Sequence, residues 1–215
     1  MEKKKGRRIL MSVMGVIICG VSVGMFKRSE LGVDPFQSLM SGLDTVIPIG
    51  FGTLYVLANI LLLSFSLIFD RKKIGAATMI NLFFLGYIAE YSQKLLETIF
   101  PEMNLAARLL LLLAAVVIMC LASALYFTAD LGVSTYDAVS LVISDRQNVV
   151  SFKFCRIISD LICVLGGISL CLLGGSSAEE VGGVVGIGTI ITSFFMGPLI
   201  DYFNVHVAQP FLEND

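Results

Sequence analysis

Tryptophan is absent from the 215 residues, histidine occurs once, at His206, and charged residues make up only 15% of the chain. One histidine leaves little from which to build a His-based metal site or a catalytic triad within a single chain. Cysteine is sparse as well. Cys19, Cys120, Cys155, Cys163 and Cys171 all stand inside apolar runs, with neither metal-ligand spacing nor a disulfide framework, and read as small buried hydrophobes. There is no phosphate loop, no nucleophile set beside a base, and no basic face for nucleic acid. These absences point away from an enzyme, from a metal or cofactor, and from a nucleic-acid partner.

What is present is apolar. Hydrophobic residues make up 56% of the chain, and the mean hydropathy is +0.88. Soluble domains carry about 25% charged residues, so the recurring apolar runs identify an integral membrane protein whose main partner is the lipid bilayer.

One stretch occurs twice, 100 residues apart. The first copy is Glu30-Leu31-Gly32-Val33-Asp34-Pro35-Phe36-Gln37-Ser38-Leu39. The second is Asp130-Leu131-Gly132-Val133-Ser134-Thr135-Tyr136-Asp137-Ala138-Val139. Asp34 and Ser134 suit a helix cap, and Gln37 and Asp137 follow three positions later, as in a capping box. Pro35 falls at the first helical position, where its missing N–H costs nothing. Short helices are expected over 34–45 and 134–145. Farther along the offset grows to 111: Gly75-x-x-Thr78 with Phe83-Phe84-x-Gly86 and Glu90-Tyr91 matches Gly186-x-x-Thr189 with Phe194-Phe195-x-Gly197 and Asp201-Tyr202. The chain reads as one membrane domain, 1–215, with internal repeats over 8–91 and 108–203.

Six spans are expected, at about 9–26, 52–69, 74–91, 106–128, 152–173 and 181–203. Three spans per repeat place the repeats in opposite orientations. With both termini on the cytoplasmic side of a bacterial plasma membrane, eleven basic residues lie inside. Lys27, Arg28, Lys94 and Arg108 lie outside, as the positive-inside rule requires. The expected fold is therefore all-α: six transmembrane helices as two inverted three-helix repeats, each with a short amphipathic or re-entrant helix after its first span. A ten-residue helix spans roughly 15 Å, half the hydrocarbon thickness. Two placements stay open, flat along the interface or dipping inward from opposite faces.

Asp160 and Arg156 lie four apart on the fifth span, where charge is costly and is paired or turned to a cavity. They are either a coupling-ion or substrate contact or an ion pair that fixes packing. The matching position in the first repeat is Asn59. Thr78, Asn81, Thr189 and Thr192 form a second repeated polar set, either bonded to their own backbone or lining a pathway. Glu30 and Asp130 can pair with a nearby cation. Gly20-x-x-x-Gly24 and the small residues Gly182, Gly186, Thr189, Ser193 and Gly197 mark close-packing faces, within the monomer or in a homodimer.

Leu31-Gly32-Val33-x-Pro35-Phe36-x-x-Leu39, the Gly75-x-x-Thr78…Gly86 run, Arg156-x-x-x-Asp160 and Gly197-Pro198 together resemble the YitT/YczE group of bacterial inner-membrane proteins. The resemblance covers about 9–203. It implies a polytopic bacterial membrane protein and lends no catalytic residue. Ser134-Thr135 departs from the Pro35 pattern, so one role is not carried over to both copies.

The first functional expectation is a small secondary transporter or channel-like permease. Its small-molecule ligand would sit between the repeats, near Asp34, Phe36, Gln37, Ser38, Asn59, Ser134, Tyr136, Asp137, Arg156 and Asp160. Helix N-termini and Arg156 favour an anionic or carboxylate-bearing solute, and Asp160 would be the proton- or cation-linked group. The alternative is a non-transporting regulator or assembly subunit.

Overall fold

A backbone inside lipid must satisfy its own hydrogen bonds, which makes helices the expected form of these apolar runs. The computed structural model describes residues 2–69, 74–147 and 152–213, and among the described residues there is no strand. The helices are α1 (Glu2–Ser29), α2 (Pro35–Val46), α3 (Phe51–Phe69), α4 (Ala76–Ile99), α5 (Leu105–Ala129) and α6 (Thr135–Gln147). Then come α7 (Phe152–Leu173), α8 (Ala178–Val184) and α9 (Ile187–Phe203); a π-helical turn, Asn204–Ala208, leads into α10 (Gln209–Glu213). Among the described residues, four stretches are long and apolar enough to cross a membrane: Lys5–Ser29, Phe51–Phe69, Leu105–Ala129 and Ala178–Glu213. The expected third span forms as α4, but Asn81, Glu90, Gln93 and Lys94 dilute its apolar character. The apolar part of α7 is the shorter stretch Ile157–Leu173. The basic run Arg71–Lys73 and the side chains of Arg146, Lys153 and Arg156 lie outside the described residues.

At the centre α1 and α5 run antiparallel. Gly15 packs on Ala122 and Tyr126, the Cys19 thiol donates to Met119 Sδ at 3.1 Å, and Ser22 donates to Ala115 O at 2.7 Å. At one end Arg8 pairs with Asp130, and at the other Arg108 pairs with Glu30 at 3.0 Å. The Gly20-x-x-x-Gly24 face is spent within the monomer, where it lets α4 approach through Ile88 and Ser92. The outward faces carry large exposed apolar residues, among them Ile17 and Val21 on α1 and Ile190 and Phe194 on α9. Such a surface suits lipid.

The last expected span is interrupted at Val185–Gly186, between α8 and α9. Here Gly183 O and Val184 O accept from the N–H groups of Gly32 and Val33, both at 3.0 Å. Carbonyls spent on the first motif do not continue a helix.

Candidate functional site

Each repeated motif folds as a hook. Glu30 and Asp130 take positive φ, 52° and 51°, and Gly32 and Gly132 follow at 104° and 113°. The glycines are required, because other residues pay for that region and space is also lacking. A Cβ on Gly32 would lie 2.5 Å from Gly186 N, and one on Gly132 would lie 2.5 Å from Gly75 N. Each hook docks on the other half of the chain. Leu31 O accepts from Gly188 N at 2.7 Å, and Leu131 O accepts from Ala77 N at 3.0 Å. The Thr78 and Thr189 hydroxyls each accept from the N–H at the start of their own helix, Gly75 or Gly186, and donate across the halves to Val133 O and Val33 O. Thr192 donates within its own helix to Thr189 O, while Asn81 accepts from Tyr55 Oη.

The hooks aim the first turns of α2 and α6 at each other. Phe36 stacks on Tyr136 with ring centroids 4.9 Å apart, and Tyr55 meets Phe36 edge-on at 5.8 Å. Asn59 accepts from Thr135 and donates to Tyr55 O at 2.7 Å. Tyr136 Oη donates to Asp160 Oδ1 at 2.7 Å and lies 3.6 Å from Cys163 Sγ. Asn59 and Asp160 are thus joined through neighbouring residues of α6, not by direct contact. Asp34 caps α2 by accepting from Gln37 N at 3.2 Å. Ser134 caps α6 by accepting from Asp137 N and donates its own proton to Asp137 Oδ2 at 2.7 Å. Ser38 is fully buried and donates to Asp34 O. Gln37 is 5% exposed, and its Oε1 has no hydrogen-bond partner. The reciprocal half of the first capping box is therefore not made. Asp34 and Asp137 both stand within electrostatic reach of Cys19, midway along α1. Of the expected residues, Arg156 shares α7 with Asp160, but its side chain lies outside the described residues.

A second polar cluster lies where α1 ends. A cavity of about 190 Å³ is bounded by Lys27 of α1, Asp44 of α2, Phe51 of α3, and Glu90, Lys94 and Glu97 of α4. Glu90 Oε1 accepts from Lys94 Nζ at 2.7 Å and Oε2 from Gly52 N at 3.0 Å. The carboxylate holds the exposed Lys94 ammonium above the ordinary lysine range.

A family model described as "Family of unknown function (DUF6198)" matches residues 6–205. The chain belongs to this family. It is 24% identical over 202 residues to the uncharacterized protein YyaS of Bacillus subtilis, covering 94% of both chains. It is 25% identical over 206 residues to an uncharacterized protein of Haemophilus influenzae, covering 94% of this chain and 86% of the relative. No solved structure matches. These matches give no support to the YitT/YczE label drawn from the motifs. They support its coarser content, a family without an assigned activity that has bacterial members.

For this family member the sequence pointed to the junction residues but not to the Lys27 cluster. Lys27, Asp44 and Glu90 come from three separate segments, and no spacing connects them. The available signals were Lys27, a charge at the edge of an apolar run, and Glu90, near the end of the expected third span and expected to be solvated or paired with a basic group, as it is with Lys94. The hydroxyl-to-carbonyl docking of Thr78 and Thr189 was visible only as a repeated Gly-x-x-Thr pattern.

Proposed function

We propose that the protein is a small membrane permease of six spans, arranged as two inverted halves with both termini cytoplasmic, in which α2 and α6 enter the membrane from opposite faces. The observation that carries this reading is the Phe36–Tyr136 stack, which joins the first turns of the two short helices. Phe36 and Tyr136 belong to the same buried cluster as Val16 of α1 and Cys120 of α5, both well inside the central helices. A helix lying flat at its own surface would not bring its first turn to that depth. Half-helices whose N-termini meet near the midplane, with unpaired polar atoms such as Gln37 Oε1, are features expected of transporters. Asp34, Gln37, Ser38, Asn59, Ser134, Tyr136, Asp137, Arg156 and Asp160 would form the passage, and Phe36 with Tyr136 its constriction. Both helix starts already carry the chain's own capping groups, so a solute there meets carboxylates as well as helix dipoles. Asp160 would be the group linked to a proton or cation.

The test uses single cysteines at Asp34, Gln37, Ser134 and Asp137 in a chain lacking the five native ones, probed in cells with membrane-impermeant thiol reagents from either side. Reaction of both motifs through an aqueous path at membrane depth is the expected result. Reaction of each motif only at its own surface would end the permease reading. The same ring stack, read as a permanent plug, favours the second reading, a non-transporting regulator or assembly subunit. That reading predicts a persistent protein partner on purification from native membranes.

A further inference from the structure

We propose that the cavity where α1 ends is a binding site for a small zwitterion of the α-amino-acid type, with Lys27 receiving its carboxylate and Asp44 its ammonium group. The proposal deepens the permease reading and rests on it only for what becomes of the ligand after binding.

The charges around the cavity do not cancel pairwise. Glu90 is taken by Lys94 and by the Gly52 N–H, and Glu97 accepts from Gln93 Nε2 at 2.8 Å. Among the described residues, three charges have no counter-ion in contact: Glu97, which keeps this amide donor, and Lys27 and Asp44, which have no hydrogen bond either. Lys27 Nζ stands 3.5 Å above the Phe51 ring, with no carboxylate of the described residues within ion-pair distance. Asp44 faces the same cavity and makes no hydrogen bond or ion pair with the described residues. The two lie close enough to influence each other electrostatically, yet they do not touch. A ligand carrying a single charge would satisfy one of them and strip water from the other, which is costly. A ligand carrying both charges satisfies both.

Size narrows the class. At about 30 Å³ per water in the liquid, the 190 Å³ cavity holds roughly six non-hydrogen atoms. It falls below the ~300 Å³ at which drug-sized pockets begin. The cavity opens to one side, so its volume bounds the enclosed part of the ligand: the α-ammonium and α-carboxylate groups with a small side chain fit inside, and a longer side chain would extend outward.

The experiment measures binding of radiolabelled L-alanine to the full chain in nanodiscs, with propionate and ethylammonium as competitors. Alanine should compete at least tenfold better than either singly charged analogue, a comparison that needs no variant. Lys27→Gln should weaken alanine at least tenfold without weakening ethylammonium. Asp44→Asn should weaken alanine similarly without weakening propionate. Absence of alanine binding, equal competition by the three compounds, or wild-type alanine binding in both variants overturns the proposal. Alanine binding without counterflow in proteoliposomes keeps the site and removes the permease reading. Solute flux that persists unchanged in the Lys27→Gln, Asp44→Asn double variant overturns the site and leaves the permease.

Discussion

The hydroxyl of Thr189 donates to the carbonyl oxygen of Val33, 156 residues earlier, at 2.7 Å. Thr78 makes the same bond to Val133 at the same distance. Each threonine also accepts from the backbone N–H three residues before it, Gly186 or Gly75. Replacing either by valine keeps the volume and leaves the carbonyl without this donor, buried at Val33 and partly buried at Val133. Thr78→Val and Thr189→Val should each cost about 1 kcal/mol. Thermal unfolding in detergent measures this, and an undisturbed melting temperature in both variants would count against the docking.

The hook glycines should be less tolerant. Gly32→Ala and Gly132→Ala add a left-handed strain of roughly 1–3 kcal/mol to a collision with the facing glycine N–H. Gly182→Ala is the control, since nothing lies within 4 Å of its added carbon. Comparing the yield of monodisperse protein from the three variants decides it. Loss confined to the hook variants is expected, and equal yields would refute the close approach.

Tyr136 combines two contacts that substitution can separate. Tyr136→Phe keeps the stack on Phe36 and removes the donor to Asp160. Tyr136→Leu removes both, forfeiting about 0.5–1.5 kcal/mol of ring pairing as well. If the stack is the constriction, Tyr136→Leu should raise solute leak through proteoliposomes while Tyr136→Phe stays tight. Equal leak in both would place the barrier elsewhere.

Gln37 offers a trade between stability and function. Its buried Oε1 lacks a partner, so Gln37→Leu should leave stability unchanged or raise it by about 1 kcal/mol, because an unsatisfied acceptor has been removed. Under the permease reading the same variant should impair flux. A variant that is destabilised and fully active would show that the amide serves packing.

The Lys94–Glu90 pair predicts a titration. Glu90 raises the Lys94 pKa above its ordinary 10.5, chiefly through the direct hydrogen bond. A raised lysine pKa contributes stability that is fully present below the unfolded value and is lost as pH rises through the folded one. Glu90→Gln should lower the Lys94 midpoint in an NMR titration of the labelled side chain. An unmoved midpoint would mean that the pair does not persist in solution.

Much of the helical frame could be read from periodic composition. The short helices were expected at 34–45 and 134–145 and form at Pro35–Val46 and Thr135–Gln147, because Asp34, Pro35 and Ser134 are local start signals. The break at Val185–Gly186 was legible only in the match of Gly186 to Gly75, which precedes α4 as Gly186 precedes α9; the expected span 181–203 ran through it. It arises from a carbonyl pair claimed by Gly32 and Val33, about 150 residues distant, and local propensity carries no trace of such a partner. The docking of Phe36 on Tyr136 was hidden for the same reason. Sequence symmetry paired those positions by offset, and only the folded chain brings them into contact.

The exchange of hooks also bears on biosynthesis. The turn at Leu31–Val33 emerges early, yet its acceptors and donors at Gly183–Thr189 are made about 150 residues later. Until then Gly32 N, Val33 N and Val33 O have no lasting partner, and a chain halted after α4 holds one half of each of two clasps. The first half on its own should remain a substrate for membrane quality control, and release from it should coincide with insertion of α9.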